Sequence, residues 1–169
     1  GDQSEDREVL SLLAEAYLAE QQPEKAEEFY WKLLDGSPEM ASTLLDIAKQ
    51  YLESEDSASL TKLLKKIEEQ LSHQHPSKEI IQLVEKISQL EHTSIPVLES
   101  LARLLDRFHL DSPFAVVLNT LFDLHYASRQ YPEAVTVLER VIDIDPYNPE
   151  STTKLERLQG KVEPSVIRD

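Results

Sequence analysis

The sequence predicts an all-α chain of antiparallel helix pairs, a helical solenoid, on three observations. Two stretches near opposite ends share one template: Tyr17, Ala26, Tyr30, Leu33 and Pro38 have the same spacings as His125, Ala134, Leu138, Val141 and Pro146. The first stretch also slides onto the next by a constant 34 residues, so that Leu10 meets Leu44, Leu13 meets Ile47, Ala14 meets Ala48 and Tyr17 meets Tyr51; repeats of this length are built from helix pairs. Finally, no segment shows the apolar and polar alternation of a half-buried strand, while apolar residues recur every three to four positions.

Taken in order, the first helix spans about 4–20 on Leu10, Leu13, Ala14 and Tyr17. The second, 23–35, opens at Pro23-Glu24 and carries Ala26, Tyr30 and Leu33. The third, 38–54, opens at Ser37-Pro38-Glu39 and repeats the first through Leu44, Ile47, Ala48 and Tyr51. In the fourth, 57–72, Leu60, Leu64 and Ile67 replace the small and aromatic residues of the pattern, so it is placed by position. From Leu10 to Leu118 is 108 residues, which after one step of 34 leaves room for two longer repeats. The fifth helix, 77–91, therefore rests on Ile80, Leu83, Val84 and Ile87, and the sixth, 95–109, on Leu98, Ala102 and Leu105. The seventh, 113–128, and eighth, 132–144, form the second well-patterned pair. The ninth, 149–160, is a lone amphipathic helix with Leu155 and Leu158, expected to cap the last apolar face.

Prolines mark the same divisions. Pro23, Pro38, Pro76, Pro96, Pro113, Pro132 and Pro149 sit where helices begin, where the missing N–H costs nothing and the fixed φ helps. Ser37, Ser112 and Asn148 stand before three of them as expected N-caps, and Glu follows Pro at 24, 39, 133 and 150, at the positive helix end. Ala14, Ala26, Ala48 and Ala134 are small because paired helices approach closely only there, and a larger side chain would overpack the contact.

These residues resemble the tetratricopeptide repeat (TPR) family, whose pattern has a small residue after Leu, Tyr three residues on, then Ala, an aromatic and Pro. Residues 7–40 and 115–148 carry it well, 41–76 keeps it only in the first helix, and 77–114 keeps spacing alone. The resemblance implies one domain over 1–160, folded as a right-handed superhelical solenoid of about four repeats with a capping helix at 149–160. A mobile tail is expected over 161–169. It also implies a non-catalytic adaptor that binds a segment of another protein in a concave groove lined by the first helix of each pair. Carried over position by position, the groove comprises Ser11 and Glu15, Leu45 and Lys49, Ile81 and Glu85, and Asn119 and Asp123. Such a face suits a basic or amphipathic segment. The family's carboxylate clamp for chaperone C-termini is not expected, because Glu8 and Glu15 stand where basic and amide groups would be needed. Alternatives are a structural or self-associating module of a larger assembly, forming a homo-oligomer, and a small acidic secretion chaperone of similar size.

Composition narrows the chemistry. The 169 residues include three glycines, at 1, 36 and 160, too few for a phosphate-cradling loop, and no cysteine for a disulfide, thiol nucleophile or thiolate zinc site. Net charge is −15, and residues 1–56 alone contribute 15 acidic against 4 basic side chains. Such a field disfavours nucleic acid and anionic membrane. No apolar run approaches a membrane span, and Gly-Asp-Gln-Ser-Glu-Asp bears no mark of a signal peptide. The abrupt start reads as a cut or processed boundary, with the cytoplasm as the default compartment.

Three further clusters invite readings. His73 and His75, with Glu79 beyond, have metal-ligand types but lack a third or fourth residue at fixed spacing, so no metal is expected. His109, Asp111 and Ser112 have the names of a hydrolase triad but lie along one helix junction, where Asp111-Ser112-Pro113 reads as a stop and N-cap; no enzyme activity and no cofactor are expected. In the triplet Phe29-Tyr30-Trp31, Tyr30 takes the core position and at least one flanking ring is expected to be partly exposed. Lys62, Lys65 and Lys66, and Arg103 with Arg107, form basic clusters on second helices, balancing Glu68, Glu69 and Glu99.

Overall fold

The computed structural model describes residues 2–34, 41–71 and 75–162 and is all-α, with no strand among them. Its helices are α1 (Asp2–Ala19), α2 (Pro23–Leu34), α3 (Ala41–Glu53), α4 (Ser57–Leu71), α5 (Lys78–Ser88), α6 (Ile95–Arg107), α7 (Asp111–Ala127), α8 (Tyr131–Ile144) and α9 (Pro149–Gln159). The expected cap at Ser37-Pro38-Glu39, His73 and the tail beyond Val162 lie outside the described residues. Contacts divide the chain into two compact units, Gly1–Leu90 and Glu91–Asp169.

In the first unit α1 packs against α2, α2 against α3, and α3 against both α4 and α5. The small residues do what their size requires: Ala14, Ala26 and Ala48 are fully buried where helices meet. Around them Leu44, Ile47, Leu60, Leu63 and Leu64 lose all exposure to water, each contributing about 1.5–3 kcal/mol of transfer free energy. The apolar periodicity assigned to α5 is the buried one, through Ile80, Leu83, Val84 and Ile87. Ser77 caps this helix, its hydroxyl accepting from Ile80 N at 3.2 Å.

The second unit is a run of neighbours, with α6 on α7, α7 on α8 and α8 on α9. Val97, Leu98, Leu101, Ala102, Leu104 and Leu105 are buried from α6. Ser94 caps that helix, accepting from Val97 N at 3.4 Å, with Pro96 in its first turn. Asn148 caps α9 as expected, its Oδ1 accepting from Glu150 N at 3.0 Å. The cap expected at Ser112 is not formed. Helix α7 starts two residues earlier than expected, at Asp111, and the preceding Leu110 makes no side-chain cap. Phe114 N, which a cap at Ser112 would serve, already donates to Leu110 O at 3.0 Å, and Leu110 N donates to Leu105 O at 3.0 Å in the turn that ends α6.

That turn is one of four such turns among the described residues. Gln21, Glu55, His109 and Arg129 all adopt left-handed backbone, with φ of 59°, 56°, 58° and 60°. Each is followed by a residue whose N–H reaches back to a carbonyl five residues earlier: Gln22 to Tyr17, Asp56 to Tyr51, Leu110 to Leu105 and Gln130 to His125. This is the Schellman-type helix stop, usually built on glycine. Gln21, Glu55 and Arg129 are related by the sequence offsets of 34 and 108, so the repeat is present in backbone geometry as well as in side chains.

Candidate functional site

The predicted groove residues divide between the units. On the first, Ser11 and Glu15 lie one turn apart on α1, Leu45 and Lys49 on α3, and Ile81 and Glu85 on α5. Glu15 and Lys49 are exposed, and Ser11, Leu45, Ile81 and Glu85 are partly buried. Burial pushes the Tyr30 hydroxyl above its ordinary pKa, and the negative charge of Glu15 adds to the effect.

On the second unit, Asn119 and Asp123 lie one turn apart on α7. Asn119 is engaged within the fold, its Nδ2 donating to Ala115 O at 2.9 Å while its Oδ1 accepts from Lys154 Nζ of α9. Asp123 is the exposed member of the pair. The capping helix thus reaches one of the residues assigned to the groove. It is also anchored by Leu158, fully buried, by Lys154 Nζ 5.0 Å from the Phe122 centroid, and by the Arg157 guanidinium 5.8 Å from Phe122 and 5.0 Å from Tyr126.

A second feature of the first unit escaped the sequence reading. Glu27, on α2, accepts from Trp31 Nε1 at 2.8 Å through Oε2 and from the Tyr51 hydroxyl at 2.6 Å through Oε1. Trp31 is buried, Lys66 of α4 lies 5.1 Å from its ring centroid, and Phe29 is the partly exposed member of the triplet. Burial, then the bond to Glu27 and its charge, drive the Tyr51 pKa far up, so the phenol remains a neutral donor. Nearby, Ser59 Oγ lies 2.7 Å from Asp56 Oδ2 and 3.1 Å from Glu24 Oε1. Glu24, Glu27, Trp31, Tyr51, Ser59 and Lys66 border a shallow cleft of about 240 Å³ between α2, α3 and α4. With both Glu27 oxygens holding donors of the fold, the cluster acts as a brace between α2 and α3.

The second unit has a cleft of about 390 Å³ where Glu99, Ala102 and Arg103 of α6 face Leu121 and His125 of α7 and Val137 and Arg140 of α8. His125, at the position that Tyr17 and Tyr51 occupy in the other pairs, is buried with its Nδ1 2.8 Å from Gln130 Oε1. Gln130 is the residue whose N–H closes the helix stop on His125 O, so this histidine is tied to its own turn twice. His109 and Ser112 are exposed at the α6–α7 junction. No helix among the described residues is long and apolar enough to cross a membrane.

Compared with models of known families, with curated proteins and with solved structures, the chain matches none.

Proposed function

We propose that this chain is a non-catalytic interaction module that holds a segment of another protein against the outward face of its first helices. The observation that carries this reading is the recurrence, at offsets of 34 and 108, of one helix pair with one stop: Gln21, Glu55 and Arg129 share left-handed φ and the same backbone bonds. A chain that repeats one pair spends its sequence on a regular surface, and the resemblance to TPR repeats gives that surface a use. In this reading the pairs continue one another as a right-handed superhelical solenoid.

On the first unit the face consists of Ser11, Glu15, Leu45, Lys49, Ile81 and Glu85. Partly exposed Leu45 and Ile81 supply apolar contact, and the two carboxylates favour a segment carrying Lys or Arg. On the second unit Asp123 supplies the charge, Asn119 being shared with Lys154.

Affinity capture from native lysate with the wild-type chain and the Glu15→Lys, Asp123→Lys variant side by side tests the reading. Both residues are exposed, so the reversals are expected to remove the captured partner and leave the melting temperature unchanged. A partner retained equally by both would refute the assignment of this face.

A further inference from the structure

The α1–α2 pair leaves open a flank that its counterpart in the second unit has covered. A shift of 108 residues places α1–α2 on α7–α8. On α7, Val117 and Leu121 are each only 2% exposed, on a helix against which α6 packs. Ala102 and Arg103 of α6 share one cleft with Leu121, His125 and Val137. The counterparts in the first unit are Val9, Leu13, Tyr17 and Phe29. There Val9 is 54% and Leu13 39% exposed, and Leu12 beside them is 65% exposed. At i, i+3 and i+4, these three aliphatic residues form one stripe along α1.

The rest of the flank is prepared in the same sense. Tyr17 and Phe29 stack at 5.6 Å across the pair, and both are partly exposed. Lys25 Nζ lies 5.5 Å from the Tyr17 ring and Lys32 Nζ 5.7 Å from the Phe29 ring. In the second unit the positions of these lysines are Glu133 and Arg140, which line the α6 cleft together with Glu99 and Arg103. One acid and one base there meet one acid and one base on the docked helix. In the first unit both positions are cations.

We propose that the Val9–Leu12–Leu13 flank of α1–α2 is a docking site for an amphipathic α-helix of a partner polypeptide, seated as α6 is seated on α7–α8. The occupant carries an apolar stripe like that of Leu98, Ala102 and Leu105, and an edge of Asp or Glu that faces Lys25 and Lys32. This acidic-edged helix differs in charge from the basic segment assigned to the first-helix face, so the two sites call for different ligands.

The probe is a fluorescein-labelled peptide of residues Ser94–Leu110 carrying Arg103→Glu, which places acids opposite both lysines, titrated into the full 169-residue chain by fluorescence anisotropy. Saturable binding is expected, with Leu13→Asp and, separately, Leu12→Asp each raising Kd by at least about tenfold at unchanged melting temperature. Lys25→Glu with Lys32→Glu is expected to weaken binding and to be rescued by a peptide with Lys at both acidic positions. The Glu15→Lys, Asp123→Lys variant is expected to bind the peptide like wild type, which separates this site from the first-helix face. No saturable binding, or a Kd in both aspartate variants equal to that of the wild type, would overturn the proposal. So would a concentration-dependent dimer that Leu12→Asp dissociates, because a second copy of the chain would then be the occupant.

Discussion

The Tyr51 hydroxyl donates to Glu27 Oε1 at 2.6 Å, joining the middle of α2 to the end of α3, while Trp31 Nε1 holds the other oxygen at 2.8 Å. A carboxylate that accepts from two ring donors is a stronger tie than either bond alone, because hydrogen bonds to a charged group contribute about 1.5–3 kcal/mol.

Removing the two partners is therefore expected to be non-additive. Glu27→Ala leaves the Tyr51 hydroxyl and Trp31 N–H without their acceptor and is expected to destabilise the chain by about 2 kcal/mol, with Tyr51→Phe costing about 1 kcal/mol. The double variant is expected to cost less than the sum by at least about 0.5 kcal/mol. Urea unfolding followed by far-UV circular dichroism checks this, and additive effects would show that the brace does not couple α2 to α3.

The four left-handed stops contain no glycine. Gln21, Glu55, His109 and Arg129 each hold φ between 56° and 60°, a region that costs an L-residue about 1–2 kcal/mol. Glycine removes that strain at some cost in unfolded-state entropy. Arg129→Gly and Glu55→Gly are each expected to stabilise by about 0.5–1 kcal/mol, whereas Arg129→Val, β-branched at the same φ, is expected to destabilise. Thermal melts of the three variants decide the matter, and a destabilising Arg129→Gly would mean that the arginine side chain matters more than its backbone.

Asp56 caps α4, its Oδ1 accepting from Ser59 N at 3.1 Å and its Oδ2 lying 2.7 Å from Ser59 Oγ. These bonds hold its carboxyl below the usual range, the hydroxyl bond contributing most. A lowered folded-state pKa means stability that is present above the unfolded value of about 4 and lost as pH falls through the folded one. Asp56→Ala is expected to cost about 1 kcal/mol near neutrality and progressively less as pH falls below about 4. A cost independent of pH between 7 and 2, in urea titrations at each pH, would show that the carboxylate charge is not what stabilises α4.

Helix identity was legible in the sequence wherever packing repeats at a fixed interval. Ala14, Ala26, Ala48 and Ala134 could be read because close approach admits only small side chains, and α5 and α6 because their apolar residues recur every three to four positions. The failures occurred where backbone replaced side chain. Ser112 had the right type for a cap, yet α7 begins before it, and Phe114 N, which such a cap would serve, already donates to Leu110 O. The helix stops went unseen because Gln, Glu, His and Arg stand where a left-handed residue is normally signalled by Gly. The surfaces were the least legible part. Val9 and Leu13 share positions with buried Val117 and Leu121, and α6 packs on the helix that carries the latter pair. The spacing of Glu27 and Trp31, four apart on one helix, could have suggested their bond; the reach of Tyr51, 24 residues away, could not.

Trp31 is the single tryptophan of the chain and lies buried beneath Lys66, inside the first unit. The molecule consequently carries a built-in optical label on one unit alone. Indole emission excited at the red edge reports the surroundings of α2 and α4, whereas far-UV ellipticity sums over the helices of both units. Any divergence between the two traces during denaturation measures directly how far the units melt as one.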